Sequence, residues 1–266
     1  MKAKALAPCS IFAAQLLIIS LPLAAAPPRK IRTFEFTYGV KVEGFPESAR
    51  NVRIWIPLAQ SDRHQIVRLI KDSGSVPLRS TRENEYGNRM LYAEVRDPRA
   101  PLDFLIEYRV ARREYRMGNF KSLMRYNSDP VTTTPELERF LEPDRMIQIN
   151  GEIARIAART TQGKTGVIER AYAIYNYVFH NMRYEKVGTG WGRGDALWAC
   201  NSHHGNCTDF HSLFIGMMRA QKIPARFVIG FPLPPHRSEG VIPGYHCWAE
   251  FYLTHVGWVP VDISEA

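Results

Sequence analysis

At 266 residues, 45% of them hydrophobic and 23% charged, the chain is long enough to bury a core in each of two modest domains. Its formal charge of +9 favours anionic surroundings, but no interleaved aromatic and basic stripe marks a nucleic-acid surface, so nucleic acid is excluded as a partner. Four cysteines are too few for a disulfide scaffold, and the fold must rest on an ordinary core.

Residues 1–26 read as an export signal. Lys2 and Lys4 give a basic start, Ile11 to Leu23 an apolar run, and Ala24-Ala25-Ala26 small residues for cleavage ahead of Pro27-Pro28. Gln15 and Pro22 interrupt a run already short of the ~20 apolar residues a membrane span needs. Cys9 precedes the run, which argues against a lipid anchor there. The expectation is an exported protein, periplasmic or secreted, with no stable membrane insertion after cleavage. Loss of Lys2 and Lys4 lowers the formal charge to +7. Three cysteines remain, Cys200, Cys207 and Cys247, so at least one thiol is free or pairs between chains.

Residues 30–116 are β in character. Phe34, Phe36, Tyr38, Val40 and Val42 alternate with mostly polar residues and predict a half-buried strand. Val52, Ile54 and Ile56 repeat the period, as do Phe104, Ile106, Tyr108 and Val110. Turn signals stand at Gly44-Phe45-Pro46, Asp72-Ser73-Gly74, Tyr86-Gly87-Asn88 and Asp97-Pro98. Short strands at this spacing predict a β-sandwich or open barrel. No nucleophile meets a base in this half, and its lone His64 reads as a surface residue.

Residues 117–135 lose periodicity and gather Asn127, Ser128, Asp129 and Pro130, the composition of a linker. Helical spacing follows. Val167, Ala171, Ile174 and Val178 share one face, widened by Tyr172, Tyr175 and Phe179, and the face reads as packing surface. Gly163-Lys164-Thr165 resembles the end of a phosphate-binding loop, but Ala158 stands where that loop needs glycine and the setting is helical. Gly188-Thr189-Gly190-Trp191-Gly192-Arg193-Gly194 reads as a flexible loop near a nucleophile.

That nucleophile is Cys207. It follows Gly205-Asn206 and opens a helical stripe of Phe210, Leu213, Phe214, Met217 and Met218, with Asn206 as N-cap. At a first helical turn, unpaired amides and the helix dipole favour thiolate over thiol, and the same amides can hold an oxyanion. His246 precedes a strand-like run, Trp248 to Leu253, and Asp262 ends the apolar segment Val259-Pro260-Val261. An acid in such a segment is costly to bury unless partnered. Neighbouring strands would set Asp262 on one imidazole nitrogen and leave the other for Cys207, the logic of a catalytic triad.

The segment 196–266 resembles the core of the transglutaminase-like superfamily, within the papain-like cysteine enzymes. The resemblance is carried by Gly205-Asn206-Cys207-Thr208-Asp209, Ile223-Pro224-Ala225-Arg226, Tyr245-His246-Cys247-Trp248-Ala249-Glu250 and Trp258-Val259-Pro260-Val261-Asp262. It implies an α+β fold: an N-terminal β-sandwich-like domain over 30–116, a linker over 117–135, and a papain-like core over 136–266. In that core the nucleophile stands at a helix N-terminus packed on an antiparallel sheet. It implies Cys207 as nucleophile, His246 as general base and acid, and Asp262 as orienting group. An upstream side chain helping the oxyanion is also implied, with Trp191, Trp198 and Tyr184 as candidates. The partner expected is a peptide or protein substrate, no cofactor is called for, and hydrolysis is favoured over cross-linking. Members usually continue beyond the aspartate motif, whereas four residues follow here, an arrangement expected to leave the strand carrying Asp262 short of a neighbour.

Two other readings compete with catalysis. One is a binding module that keeps the fold without the chemistry. The other is a zinc site built from Cys200, His203, Cys207 and His211, which would leave His246 and Asp262 without a role. By count alone, Cys200 and Cys247 are a candidate disulfide that leaves Cys207 as the odd thiol.

Overall fold

The structure is a computed structural model and describes residues 30–265 apart from 100, 116, 118, 119, 129–133 and 235. The segment read as an export signal and part of the one read as a linker lie outside the described residues.

Six strands come first: β1 (Ile31–Val42), β2 (Asn51–Pro57), β3 (Gln65–Gly74), β4 (Arg79–Arg82), β5 (Arg89–Arg96) and β6 (Leu102–Arg113). They form two antiparallel sheets of three, ordered β1-β6-β3 and β2-β5-β4. Alternation explains the layering. Leu102, Phe104, Ile106, Tyr108 and Val110 of β6 point inward and meet Ile54, Ile56, Leu91 and Ala93 from the facing sheet in one buried cluster. The Asp72-Ser73-Gly74 signal is not a turn: these residues close β3, paired with Ile106, Leu105 and Phe104. β3 is an edge strand, exposed along most of its length, with a register shift between Leu69 and Lys71, and there turn-type residues are tolerated. His64 is half-buried against the Tyr115 ring, 3.9 Å between centroids, and is not a free surface residue.

Short helical turns α1 (Phe120–Leu123) and α2 (Pro135–Glu138) lead to α3 (Gly151–Thr160), α4 (Val167–Asn181), β7 (Arg183–Tyr184), α5 (Ala196–Ser202), β8 (His204–Gly205) and α6 (Cys207–Ala220). The chain ends in β9 (Ala225–Gly230), β10 (His246–Leu253) and β11 (Gly257–Val261), an antiparallel sheet with β10 in the middle. Helix α6 lies against β10 and β9 and also packs on α3, α4 and α5. A helix so enclosed must be apolar nearly all round, and Phe210, Leu213, Phe214, Ile215, Met217 and Met218 are all buried. Truncating Phe214 to alanine is expected to cost about 3–5 kcal/mol. In α4 the stripe Val167, Ala171, Ile174 and Val178 is buried, while Tyr172 and Phe179 stand largely exposed and stack on Tyr175.

The β-rich half is fastened to the segment after β9 by Arg32, which donates to the Pro234 and Arg237 carbonyls, and to the helical half at further places. Tyr86, beyond β4, donates to Asp144 at 2.5 Å, and Asp144 also pairs with Arg139 and with the buried Arg219 of α6 at 2.8 Å. Arg63 donates to the carbonyls of Val256 at 3.0 Å and Trp258 at 3.2 Å, and the Tyr115 hydroxyl reaches the Trp258 carbonyl at 3.3 Å. β11 is the sheet edge, which is where Pro260, lacking an N–H, can be accommodated.

Candidate active site

Cys207 is the first residue of α6 and is 5% exposed. Asn206 caps the helix, its side chain accepting from the Thr208 amide at 2.9 Å, and Asp209 reaches back to the Asn206 amide at 3.0 Å. This reciprocal capping box holds the first turn rigid. Gly205 is required by close approach: a Cβ there would lie 2.5 Å from the Asp209 carboxylate.

The sheet supplies the other two groups. His246 opens β10 opposite Gly230, and Asp262 follows Val261, whose partner is Ala249. The pairing of β10 with β11 therefore brings the aspartate back to the imidazole, and His246 Nε2 lies 2.6 Å from Asp262 Oδ2. Ser264 Oγ donates to the other carboxylate oxygen at 3.1 Å. His246 also lies close enough to the Cys207 thiol for each to shift the other's titration.

Electrostatics follow from these contacts. Cys207 is drawn down to about 5, first by the hydrogen bond from the Cys247 side chain and, against the upward push of burial, by the Cys247 amide and by His246. Burial presses His246 down, but the hydrogen bond and charge of Asp262 and the charge of Cys207 outweigh it and raise its pKa. Cys247 moves the opposite way from its neighbour, raised by its hydrogen bond to Cys207 and by burial. The arrangement favours a thiolate–imidazolium pair held by a carboxylate, which can attack a carbonyl and protonate a leaving amine.

Of the three oxyanion candidates, Tyr184 is the one at the nucleophile. It lies close enough to Cys207 for that residue's amide and charge to shift its hydroxyl, and burial together with the Cys207 charge raises its pKa. The two-residue parallel pair of β7 and β8, with Tyr184 opposite Gly205, puts it there. Trp198 instead covers Gly190 and meets His204 edge-on at 5.2 Å, and Trp191 faces Lys186 at 6.0 Å.

The glycine-rich loop is pinned, not flexible as expected. Asp209, fully buried, accepts from the amides of Gly192 at 2.6 Å and Gly194 at 3.1 Å as well as from Asn206. Gly194 has φ +69° and would place a Cβ 2.9 Å from Ser212 Oγ, so only glycine suits the contact. His211 is also fully buried, with Nδ1 2.7 Å from the Cys207 carbonyl and Nε2 accepting from the Ile263 amide at 3.0 Å.

The candidate disulfide is not formed, and the competing zinc reading finds no support among the described residues. Cys200, Cys207 and Cys247 are all free thiols; Cys247 bonds to Cys207 and Thr208 and forms no bridge to Cys200, which is buried in α5. Cys200, His203, Cys207 and His211 do not assemble as a zinc site. His203 ends α5 with Nδ1 on the Asn181 carbonyl, both nitrogens of His211 are occupied, and no group of three such ligands is placed for a metal among the described residues. Asp209 and Cys247 were not read as functional from the sequence, although Asn206-x-x-Asp209 is a capping-box spacing that signals the first of them.

Residues 154–263 match the family model of the transglutaminase-like superfamily. The chain is 25% identical over 254 residues to an uncharacterized protein of Haemophilus influenzae, across 87% of this chain and 69% of that protein. It is 25% identical over 173 residues to the uncharacterized protein YebA of Bacillus subtilis, across 55% of this chain but only 23% of YebA. Among solved structures, a Cytophaga hutchinsonii protein provisionally named a cysteine protease superposes with a TM-score of 0.67 at 16% identity, over 90% of this chain and 78% of that one, a likeness of fold.

Proposed function

We propose, from the match of residues 154–263 to the transglutaminase-like superfamily, that the chain is an exported cysteine-dependent acyl-transfer enzyme acting on peptide or side-chain amides. The observation that carries this reading is the Cys207 thiol at a helix start, beside an imidazole whose Nε2 is 2.6 Å from a carboxylate. Cys207 attacks the amide carbonyl, with the developing oxyanion facing its own backbone amide and the Tyr184 hydroxyl. His246 protonates the departing amine, a thioester forms, and Asp262 stabilises the imidazolium throughout. Hydrolysis is favoured over cross-linking, a choice supported by the partial exposure of the His246 and Asp262 side chains, 20% and 35%. Residues 1–26 serve as the export signal, 30–116 as a β-rich domain, 117–135 as a linker and 136–266 as the catalytic domain, in the periplasm or outside the cell.

Mass-spectrometric mapping of iodoacetamide labelling from about pH 5 to 9 tests the nucleophile, beside a His246→Ala variant. Cys207 must react well below the ordinary thiol value of about 8.5 and lose that advantage without His246. Ordinary titration in both proteins would sink the reading. Reaction of peptide amides in ¹⁸O-labelled water, with and without a primary amine, then separates hydrolysis from cross-linking.

A further inference from the structure

We propose that His211 is a positioning residue for the reaction, a buried strut that ties the nucleophile turn of α6 to the segment carrying Asp262. The inference rests on the acyl-transfer reading above. His211 stands one helical turn after Cys207, in a helix that also buries Asp209, Ser212 and Arg219, and it is 0% exposed. Its ring bridges two separate parts of the site. Nδ1 is 2.7 Å from the carbonyl of Cys207, on the residue that supplies the sulfur. Nε2 is 3.0 Å from the amide of Ile263, the residue directly after Asp262.

Those partners fix the tautomer. A carbonyl only accepts, so Nδ1 carries the proton; an amide only donates, so Nε2 is the acceptor. The neutral ring is therefore the only form that makes both bonds. Neutrality matters because Nε2 is also 3.6 Å from Asp262 Oδ1. A protonated His211 would compete with His246 for the aspartate. The charged and titratable groups that act on it are Asp262 after β11, His246 on β10, and the Cys207 turn of α6. Burial, outweighing the pull of Asp262, holds its pKa down at about 4, so His211 stays neutral where His246 is charged.

A leucine would fill the same space and keep the helix. It would leave the Ile263 amide without its acceptor, and a buried unsatisfied amide pulls its segment toward other partners. Asp262 would then lose its fixed distance to His246, and the thiolate would lose the imidazolium that stabilises it.

Three variants separate the two bonds. His211→Leu removes both. His211→Asn places an amide where Nδ1 was and keeps the bond to the Cys207 carbonyl alone. His211→Gln places an oxygen where Nε2 was and keeps the bond to Ile263 alone. Two measurements are made on each: the pH profile of Cys207 alkylation by iodoacetamide, and hydrogen exchange of the Ile263 amide by NMR. The proposal expects Leu and Asn to slow labelling at pH 6 about tenfold or more, as an upward shift of about two units in a thiol that starts near 5 requires, and to speed Ile263 exchange. Gln should restore most of both. Should the leucine variant not fold, the contrast between Asn and Gln carries the test.

Unchanged labelling and exchange in a folded His211→Leu protein overturns the proposal. Recovery by Asn and not Gln overturns it as well, because it would make the bond within α6 the one that matters. If wild-type Cys207 titrates as an ordinary thiol, the acyl-transfer reading fails, and a catalytic role for His211 fails with it. Ile263 exchange then still shows whether the strut exists, so the two failures are told apart.

Discussion

Asp209 binds the amide of Gly192 at 2.6 Å, joining the nucleophile helix to a loop seventeen residues earlier in the chain. The same carboxylate holds Gly194 and Asn206, so one buried charge is satisfied by three backbone donors. Bonds to a charged acceptor are the stronger kind, and removing the charge leaves buried amides poorly matched. Asp209→Asn is expected to destabilise the protein by about 3 kcal/mol, read as a lower urea midpoint, and to open the 188–194 loop to proteolysis. Wild-type melting and digestion in this variant would refute the pinning role.

Asp262→Asn keeps the size of the side chain but offers His246 an amide in place of a carboxylate. The imidazolium loses its counter-charge and the ring its fixed tautomer. Turnover is expected to fall by about 10³- to 10⁴-fold with little change in KM, and the Cys207 labelling profile should move to higher pH. A variant with near-native turnover would remove Asp262 from the mechanism.

Tyr184→Phe deletes one hydroxyl close to Cys207 and leaves the ring against Phe210, 6.2 Å between centroids. If the phenol helps hold the oxyanion, kcat drops by about 10²-fold or more while KM and Cys207 alkylation at pH 6 stay close to wild type. Parallel loss of alkylation would instead place Tyr184 on the thiolate and not on the oxyanion.

Acid stability gives an independent readout of His211. Burial lowers its folded-state pKa to about 4 from an ordinary value of 6.5, so between those values the unfolded chain binds a proton that the folded chain does not. The stability held by the neutral ring is complete above pH 6.5, declines as pH falls toward 4, and levels off below. Over that window the loss amounts to about 3 kcal/mol. Urea midpoints measured from pH 7 to 4 should fall more steeply in wild type than in His211→Gln, and equal slopes would contradict the assignment.

Much of the site was legible because its three chemical groups sit where elements begin or end. Cys207 opens a helix after Gly-Asn, His246 opens a strand, and Asp262 closes one; each position leaves a mark in hydrophobic periodicity. The inward faces of β1, β2 and β6 were legible for the same reason. What escaped was set by contacts distant in sequence. β7 and β8 are two residues each, too short to show a period, yet their pairing sets Tyr184 opposite Gly205, two residues before Cys207. Counting cysteines suggested a bridge between Cys200 and Cys247, but a count carries no distances, and the pairing of β10 with β9 and its packing on α6 set Cys247 beside Cys207. β3 was missed because an exposed edge strand need not alternate.

The anchorage of β11 by Arg63 and Tyr115 makes the β-rich half more than an appendage. An unpaired strand edge frays and recruits other chains, and this edge leads directly into Asp262. The Arg63 and Tyr115 side chains reach the carbonyls of Val256 and Trp258 at this edge. Heat or denaturant that loosens the β-rich half would therefore free the segment carrying Asp262 before the helical core melts, so that loss of the Asp262–His246 contact runs ahead of global unfolding. The same dependence means that the site's geometry is inherited as a property of both halves together, and a core grafted onto a different partner would need a new guard for that edge.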